Sequence, residues 1–154
     1  MTTAVSPVIA EFLNGTIQAV TNIIPIPISL EKPSLLKSRV VQSEFGVLLG
    51  IAGSVPGQLF IHASKQVFAS IATNMYGMAL SDEMLESFIG ELGNMVGGNL
   101  CTNVSATGIH IEITPPAVLV GETKLTGFSA PAFLIPLSIM DVGNLDIILI
   151  LSNE

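Results

Sequence analysis

Residues 87 to 94 read Ser87-Phe88-Ile89-Gly90-Glu91-Leu92-Gly93-Asn94, which puts a hydroxyl, a carboxylate and a carboxamide at positions i, i+4 and i+7 of one helix. At about 100° per residue, Ser87, Glu91, Asn94 and Gly98 share an arc roughly 60° wide. Leu85, Phe88, Ile89, Leu92, Met95 and Val96 gather on a separate flank, the face that such a helix buries. The polar stripe is thereby turned outward. Ser81 caps the helix, and Asp82 and Glu83 lie in its first turn, where the helix dipole favours anions. Gly90, Gly93, Gly97 and Gly98 sit inside the helix at about 1 kcal/mol each relative to Ala, so something approaches this backbone closely. For Gly90, Gly93 and Gly97, which point away from the apolar flank, the expected neighbour is another helix or a subunit. Gly98 lies in the polar stripe, where it leaves room for a partner's loop.

Before this helix, Ser6-Pro7 reads as an N-cap with proline at the first helical position. Ile9, Leu13, Ile17 and Val20 then recur with helical spacing to about Asn22. The prolines of Ile24-Pro25-Ile26-Pro27-Ile28-Ser29 remove ladder donors and assign that segment to a sheet edge or an extended connection. Glu44 to Ala52 and Gln58 to Ala63 read as antiparallel strands joined by the corner Gly53-Ser54-Val55-Pro56-Gly57, a hairpin with about five loop residues. Val67, Phe68, Ile71, Ala72 and Met75 predict a helix from Ser64 to about Met78, ended by Gly77.

After the long helix, Ile109 to Thr114, Ala117 to Val120, Ala132 to Ile139 and Leu145 to Leu151 are strand candidates, with a turn at Asp141-Val142-Gly143-Asn144. The tally is about three helices and five to six strands. Because the later strands follow one another without intervening helices, the fold class is α+β: a largely antiparallel sheet with helices packed on one face. Glu11-Phe12-Leu13-Asn14 repeats the Glu-x2-Asn spacing of Glu91 to Asn94, again on a helix followed by an isoleucine-rich, proline-containing segment, an internal echo of two related halves.

At 154 residues with 49% hydrophobic side chains, one domain spanning residues 1–154 is expected, with a sizeable core. Charged residues are 11%, against roughly 25% in an ordinary domain, and mean hydropathy is +0.71. Pro, Asn, Gln and Gly break the uncharged stretches Phe12 to Leu30 and Leu125 to Met140, so no clean apolar span of about 20 residues is present and no membrane segment is expected. The apolar surplus is assigned to a buried sheet and a subunit interface, most simply that of a twofold homodimer. Met1-Thr2-Thr3-Ala4-Val5 lacks the basic and apolar regions of a secretory signal, which points to the cytoplasm.

A net charge of −7, with only Lys32, Lys37, Arg39, Lys65 and Lys124 as cations, argues against nucleic acid and repels free anionic substrates. An acidic protein that handles phosphate meets it more easily on a partner that brings its own cation. Cys101 is alone and is read as a small buried hydrophobe. His62 and His110 have no ligand-spaced neighbours and are read as structural, with no metal site. Neither a phosphate-binding glycine loop with its lysine nor a Gly-x-Ser-x-Gly elbow occurs.

Ser-x3-Glu-x2-Asn, followed some twenty residues later by Ile111-Glu112-Ile113-Thr114-Pro115-Pro116-Ala117-Val118-Leu119-Val120-Gly121-Glu122, resembles the signature of the CheC/CheX chemotaxis phosphatases, the single-site CheX branch being the nearer match. The likeness takes in the N-terminal helix and the runs Gly46 to Gly53 and Gly57 to Ile61, and so nearly the whole chain. It implies a CheC-like fold with a pseudo-twofold internal duplication. It implies a substrate as well: a phosphorylated CheY-like response regulator whose phospho-aspartate lies beside a bound Mg²⁺ that the regulator brings, the chain having no cofactor of its own. Asn94 would then orient the attacking water, Glu91 would pair with a regulator lysine, and Ser87 and Gly98 would support docking. Glu11 and Asn14 would form a second site of the kind the two-site branch has, although Pro7 stands where a Ser or Asp is expected. Without the resemblance, Glu91 and Asn94 read as an ordinary solvated helix face. The rival function is a non-catalytic binding or assembly module, since related sheets serve in flagellar switch components; a structural dimer with a vestigial motif is the third.

Overall fold

Two hairpins, each closed by a short turn, lie side by side at the centre of the sheet. In the computed structural model, which describes residues 7–37, 40–128 and 131–152, the first hairpin is β3 (Val40–Gly53) with β4 (Gly57–Ala63), and the second is β7 (Ala132–Ile139) with β8 (Gly143–Leu151). The β4 and β8 strands pair antiparallel, Leu59 opposite Leu149 and Ile61 opposite Ile147. The turn of the first hairpin is three residues, Ser54 to Pro56, shorter than the expected five because both flanking glycines belong to strands. That of the second uses Asp141 at φ 62°, a left-handed conformation that Asp tolerates better than most residues.

The outer strands come from the opposite half of the chain. Helix α1 (Pro7–Ile23) is followed by β1 (Ile28–Leu30) and β2 (Ser34–Leu35), both of which pair with β7. Helices α2 (Lys65–Tyr76) and α3 (Asp82–Ser105) are followed by β5 (Ile111–Ile113) and β6 (Ala117–Thr126), both of which pair with β3. Exchanging α1–β1–β2–β3–β4 for α3–β5–β6–β7–β8 leaves the order of the sheet unchanged, which is the pseudo-twofold that the Glu-x2-Asn echo implied. Eight strands form among the described residues, more than expected, because the prolines of residues 25–36 confine β1 and β2 to lengths too short for a period-two pattern.

One face of the sheet carries Val47, Leu49, Leu59, Ile61, Ile135, Ile147 and Leu149 into a core shared with all three helices. The opposite face carries Phe60, Ile148 and Ile150 into a smaller cluster with Val41 and Ala132, against which Leu36, Leu125 and Phe128 pack. Helix α2 begins at its Ser64 cap, whose hydroxyl accepts from the Val67 N–H at 3.2 Å, and ends at Gly77 (φ 75°), whose N–H donates to Thr73 O. The Ser6 cap proposed for α1 lies outside the described residues. The α1 and α3 helices run antiparallel, joined where Asn103 Nδ2 donates to Gly15 O at 2.9 Å and Asn22 Nδ2 to Asn99 Oδ1 at 3.2 Å.

Helix α3 buries Leu85, Phe88, Ile89, Leu92, Val96, Leu100 and Val104. At about 1.5–3 kcal/mol for each large aliphatic or aromatic side chain, this outweighs the combined glycine penalty of about 4 kcal/mol. The glycines themselves correct one expectation. A Cβ at Gly93 would lie 2.7 Å from a Val47 methyl, one at Gly97 2.7 Å from Ile113 Cδ1, and one at Gly90 3.1 Å from Val118 Cγ2. The close neighbour is therefore the chain's own sheet, not a second helix or subunit. Gly98 differs: nothing lies within 4 Å of its Cβ position.

On the smaller-cluster face, His62 and Asp146 stand opposite each other on β4 and β8, the His62 ring stacked on Phe60 at 5.1 Å. Burial holds the His62 imidazole below its ordinary value of 6.5, with Asp146 opposing; burial lifts the Asp146 carboxyl, with His62 opposing and Glu31 adding. Near neutrality the folded chain thus binds fewer protons at His62 than the unfolded chain does, and stability falls as pH drops through 6.5 toward the lowered value. Asp146 acts in a more acidic window and with the opposite sign, its contribution fading as pH rises through the lifted value.

Two stability measurements follow from this packing. Gly93→Ala gains about 1 kcal/mol of helix propensity but meets overpacking of about 1–3 kcal/mol against Val47, a net loss, whereas Gly98→Ala gains about 0.5–1 kcal/mol. Urea midpoints that move equally in both variants would refute the distinction. Denaturation between about pH 7 and about pH 5.5 should show falling stability, and His62→Gln should flatten that slope; a parent-like slope in the variant would assign it to other groups.

Candidate functional site

The polar ridge of α3 is held in place from beneath. Val47 and Leu49 of β3, Ile113 of β5 and Val118 of β6 fill the space left by Gly90, Gly93 and Gly97, so the helix axis lies closer to the strands than side chains at those positions would allow. The corner between β5 and β6 is fastened to β3 at Thr114, whose N–H donates to Gly50 O at 2.9 Å and whose Oγ1 accepts from the Gly50 N–H at 2.8 Å. Pro116 follows that clamp, and its Cγ lies 4.0 Å from the Gly90 Cβ position. The two sequence segments that carry the family resemblance are therefore in direct contact.

Ser87, Glu91 and Asn94 are all exposed on this ridge, and Gly98 is half-buried at its C-terminal end. The sequence placed these four on one stripe, and the structure keeps them there. Glu91 and Asn94 are three residues apart, about 4.5 Å along the axis. Such a ridge offers a carboxylate for a cation and a carboxamide and a hydroxyl for hydrogen bonds. It contains no His or Cys, and so no activated nucleophile.

Beside its N-terminal half runs a groove of about 630 Å³ that the sequence reading missed. Tyr76, Met78, Leu80, Met84 and Phe88 form its apolar lining, and Glu91 and Ser87 belong to both groove and ridge. The Tyr76 ring meets Phe88 edge-on, 5.7 Å between centroids. A signal was present in the sequence: Met78-Ala79-Leu80 is apolar, yet it lies between the helix-ending Gly77 and the Ser81 cap, in a connection that ordinarily is polar.

The other candidates fall elsewhere. Glu11 is half-buried and Asn14 exposed on α1, where the antiparallel contact of Gly15 with Asn103 sets them about 15–20 Å along the helix pair from Asn94. Cys101 is half-buried, less than expected, and burial, reinforced by Glu112, pushes its thiol up and away from the reactive thiolate. His110 is exposed; its carbonyl receives the Ser54 N–H and hydroxyl at the hairpin turn. Among the described residues no group of three or more His, Cys, Asp or Glu is placed to hold a metal ion, and no helix is long and apolar enough to cross a membrane.

Comparison with known proteins agrees with this geometry. The family described as chemotaxis phosphatase CheX matches residues 45–136, from the part of β3 that pairs with β4 through α3 to β7. The CheY-P phosphatase CheX of Thermotoga maritima is 27% identical over 144 residues, covering 91% of this chain and 92% of the relative. The chemotaxis protein CheX of Desulfovibrio desulfuricans has the same fold, with a TM-score of 0.82 at 19% identity over 96% of this chain and 100% of that one. A CheX of Borrelia burgdorferi, solved in complex with CheY, BeF3 and Mg²⁺, aligns with a TM-score of 0.79 at 25% identity, covering 94% and 97% of the two chains. With a family match over more than half its length, and with the two contacting signature segments inside that match, the chain belongs to the CheX family of chemotaxis phosphatases.

Proposed function

We propose that the chain, acting as one domain in the cytoplasm, hydrolyses the phospho-aspartate of a CheY-like response regulator, with Asn94 orienting the attacking water. The observation that carries this reading is an exposed Glu91–Asn94 pair on a helix immobilised against its sheet, followed by a glycine whose missing side chain no internal packing explains. The Thermotoga maritima relative is a CheY-P phosphatase, and the Borrelia burgdorferi CheX binds CheY in the presence of BeF3, whose shape imitates a phosphoryl group, and Mg²⁺.

The chemistry asks little of this chain beyond position. Water attacks phosphorus, the bond from phosphorus to the aspartyl oxygen breaks, the carboxylate leaves, and both water protons end on inorganic phosphate. Charge on the transferring group is neutralised by Mg²⁺ that arrives with the regulator, so a net charge of −7 on this protein is no obstacle. An amide is no base at neutral pH, so the part of Asn94 is to hold the water in line by hydrogen bonding. Glu91, one turn earlier, pairs with a regulator lysine and fixes the depth at which Asn94 enters. Ser87 adds a hydrogen bond to the same edge, and Gly98 gives clearance to the regulator's loop. On α1, Pro7 supplies no hydroxyl four residues before Glu11, which leaves the α3 edge as the proposed site. A second copy is the other proposed partner: among the described strands β6 pairs only with β3, and its outer edge, with Val120 48% exposed, is open for a twofold contact.

Asn94→Ala should lower the rate of phospho-regulator hydrolysis about 10²-fold with binding nearly intact, the scale of a lost positioning group. Hydrolysis at the parent rate would remove Asn94 from the mechanism, and incubation with phosphorylated regulator and Mg²⁺ separates an enzyme from an assembly module at once. Glu91→Ala should act chiefly on KM, and a regulator with its docking lysine reversed to an acid should restore binding to Glu91→Lys. Unchanged Michaelis parameters in Glu91→Ala would dismiss the ion pair. Gly98→Ala, stabilised as a free protein, should nevertheless raise KM; a stabilised variant with parent kinetics would show that no partner loop packs there.

A further inference from the structure

The groove between the end of α2 and the first turns of α3 shares two of its residues with the ridge, and its composition describes an occupant. Tyr76, Met78 and Met84 are 53, 58 and 51% exposed, a concentration of large apolar side chains in water of which only Tyr76, edge-on to Phe88, makes a ring contact with the core. Methionine is flexible and polarizable, suited to moulding around a partner's side chain. Glu83 and Glu91, both exposed, line the same groove. Lys65, at the start of α2, is already taken by Asp82 at 3.0 Å, and among the described residues neither Glu83 nor Glu91 has a cationic partner. The groove thus joins an apolar lining to two exposed carboxylates.

Size places the occupant. A specific protein interface buries about 800 Å² on each partner, far more than three side chains on one helix stripe supply. Any protein that brings an acyl phosphate to Asn94 has to extend onto adjoining surface. Met84 lies ten residues before Asn94, about 15 Å along α3, well within such a footprint. Glu91, common to groove and ridge, ties the two together.

We infer that this groove is the docking and specificity surface for the phosphorylated regulator: it receives an aliphatic or aromatic side chain, flanked by lysine or arginine, from the regulator face that borders the acyl-phosphate pocket. This rests on the phosphatase reading of the ridge and adds to it a determinant of which regulator is accepted. The methionines carry the affinity, and the two glutamates steer a basic patch and hold its register.

The test uses the full chain and the host's CheY-like regulators loaded with BeF3 and Mg²⁺, binding being read by fluorescence anisotropy and turnover separately on the phosphorylated forms. Met78→Ser with Met84→Ser, both at exposed positions, should weaken binding tenfold or more and raise KM in proportion, with kcat at saturation within twofold of the parent. Glu83→Gln should slow association and reduce its dependence on salt. Asn94→Ala, run in parallel, should do the reverse of the double variant, losing kcat and keeping binding. If Asn94→Ala keeps parent turnover while the double variant loses binding, the catalytic assignment fails and the groove stands. Binding of the double variant as tight as the parent's would overturn the groove. So would conversion of a dimeric parent to a monomer by the same substitutions, which would assign this surface to a second copy, or the failure of every regulator to bind the parent.

Discussion

The rest of this molecule depends on a contact in which one side has no side chain. Along α3, Gly90, Gly93 and Gly97 face branched residues of β3, β5 and β6, and at two of the three the missing Cβ would fall 2.7 Å from a methyl carbon. Helix and sheet consequently leave no room for a β-carbon at these positions, and the ridge of the helix rests on that close contact. A water-positioning side chain benefits from it directly, because effective concentration in an in-line attack falls off steeply with small displacements. The glycines weaken the helix by about 1 kcal/mol each; the burial of Leu85, Phe88, Ile89 and Leu92 on the adjoining flank keeps it formed.

The same contact explains why the family signature has two parts so far apart in sequence. Val118 meets Gly90 and Ile113 meets Gly97, so the segment 111–122 is the floor on which the helix motif rests. Thr114 ties that floor to β3 through a pair of hydrogen bonds to Gly50, and the proline corner that follows closes against the helix. A larger residue at Gly93, or a register slip in β6, would lift or tilt the ridge without touching Glu91 or Asn94. The ridge is therefore a property of the sheet as much as of the helix.

Legibility in the sequence followed the length of each pattern. The start and the two faces of α3, with a serine cap, acids in the first turn and an apolar flank, were readable to the residue, while its end at Ser105 carried no signal in the sequence. So was the β7 segment, where apolar side chains and turn residues agree. Less was visible where a tertiary contact decides the outcome. The β6 strand extends to Thr126, beyond the apolar run that announced it, because its polar second half pairs with Val40 to Ser43 past the end of β4. The direction of the glycine face was misassigned because spacing alone does not say which of two neighbouring arcs carries strands. Asp146 escaped notice altogether, since its partnership with His62 exists only once β4 and β8 are paired. The groove was missed for a similar reason: Tyr76 to Leu80 looks like the end of one helix and a short link to the next until α2 and α3 are placed side by side.

Duplication makes the difference between the two halves informative. At the positions of α1 that correspond to Gly90, Gly93 and Gly97 in the Glu-x2-Asn alignment stand Ala10, Leu13 and Ile17. Side chains of that size hold a helix away from a sheet, so α1 cannot adopt the approach that fixes the α3 ridge. Its own close contact is at Gly15, and it is made with α3: the Gly15 Cβ position lies 3.1 Å from Leu100 Cδ1 and 3.3 Å from Val104 Cγ1. One helix of the pair is thus seated on strands and the other on its twin. With Pro7 in place of the hydroxyl, α1 retains an acid and an amide at the right spacing but neither the seating nor the full stripe. Of the two helices that the pseudo-twofold relates, only α3 combines seating on strands with the complete stripe of Ser87, Glu91 and Asn94.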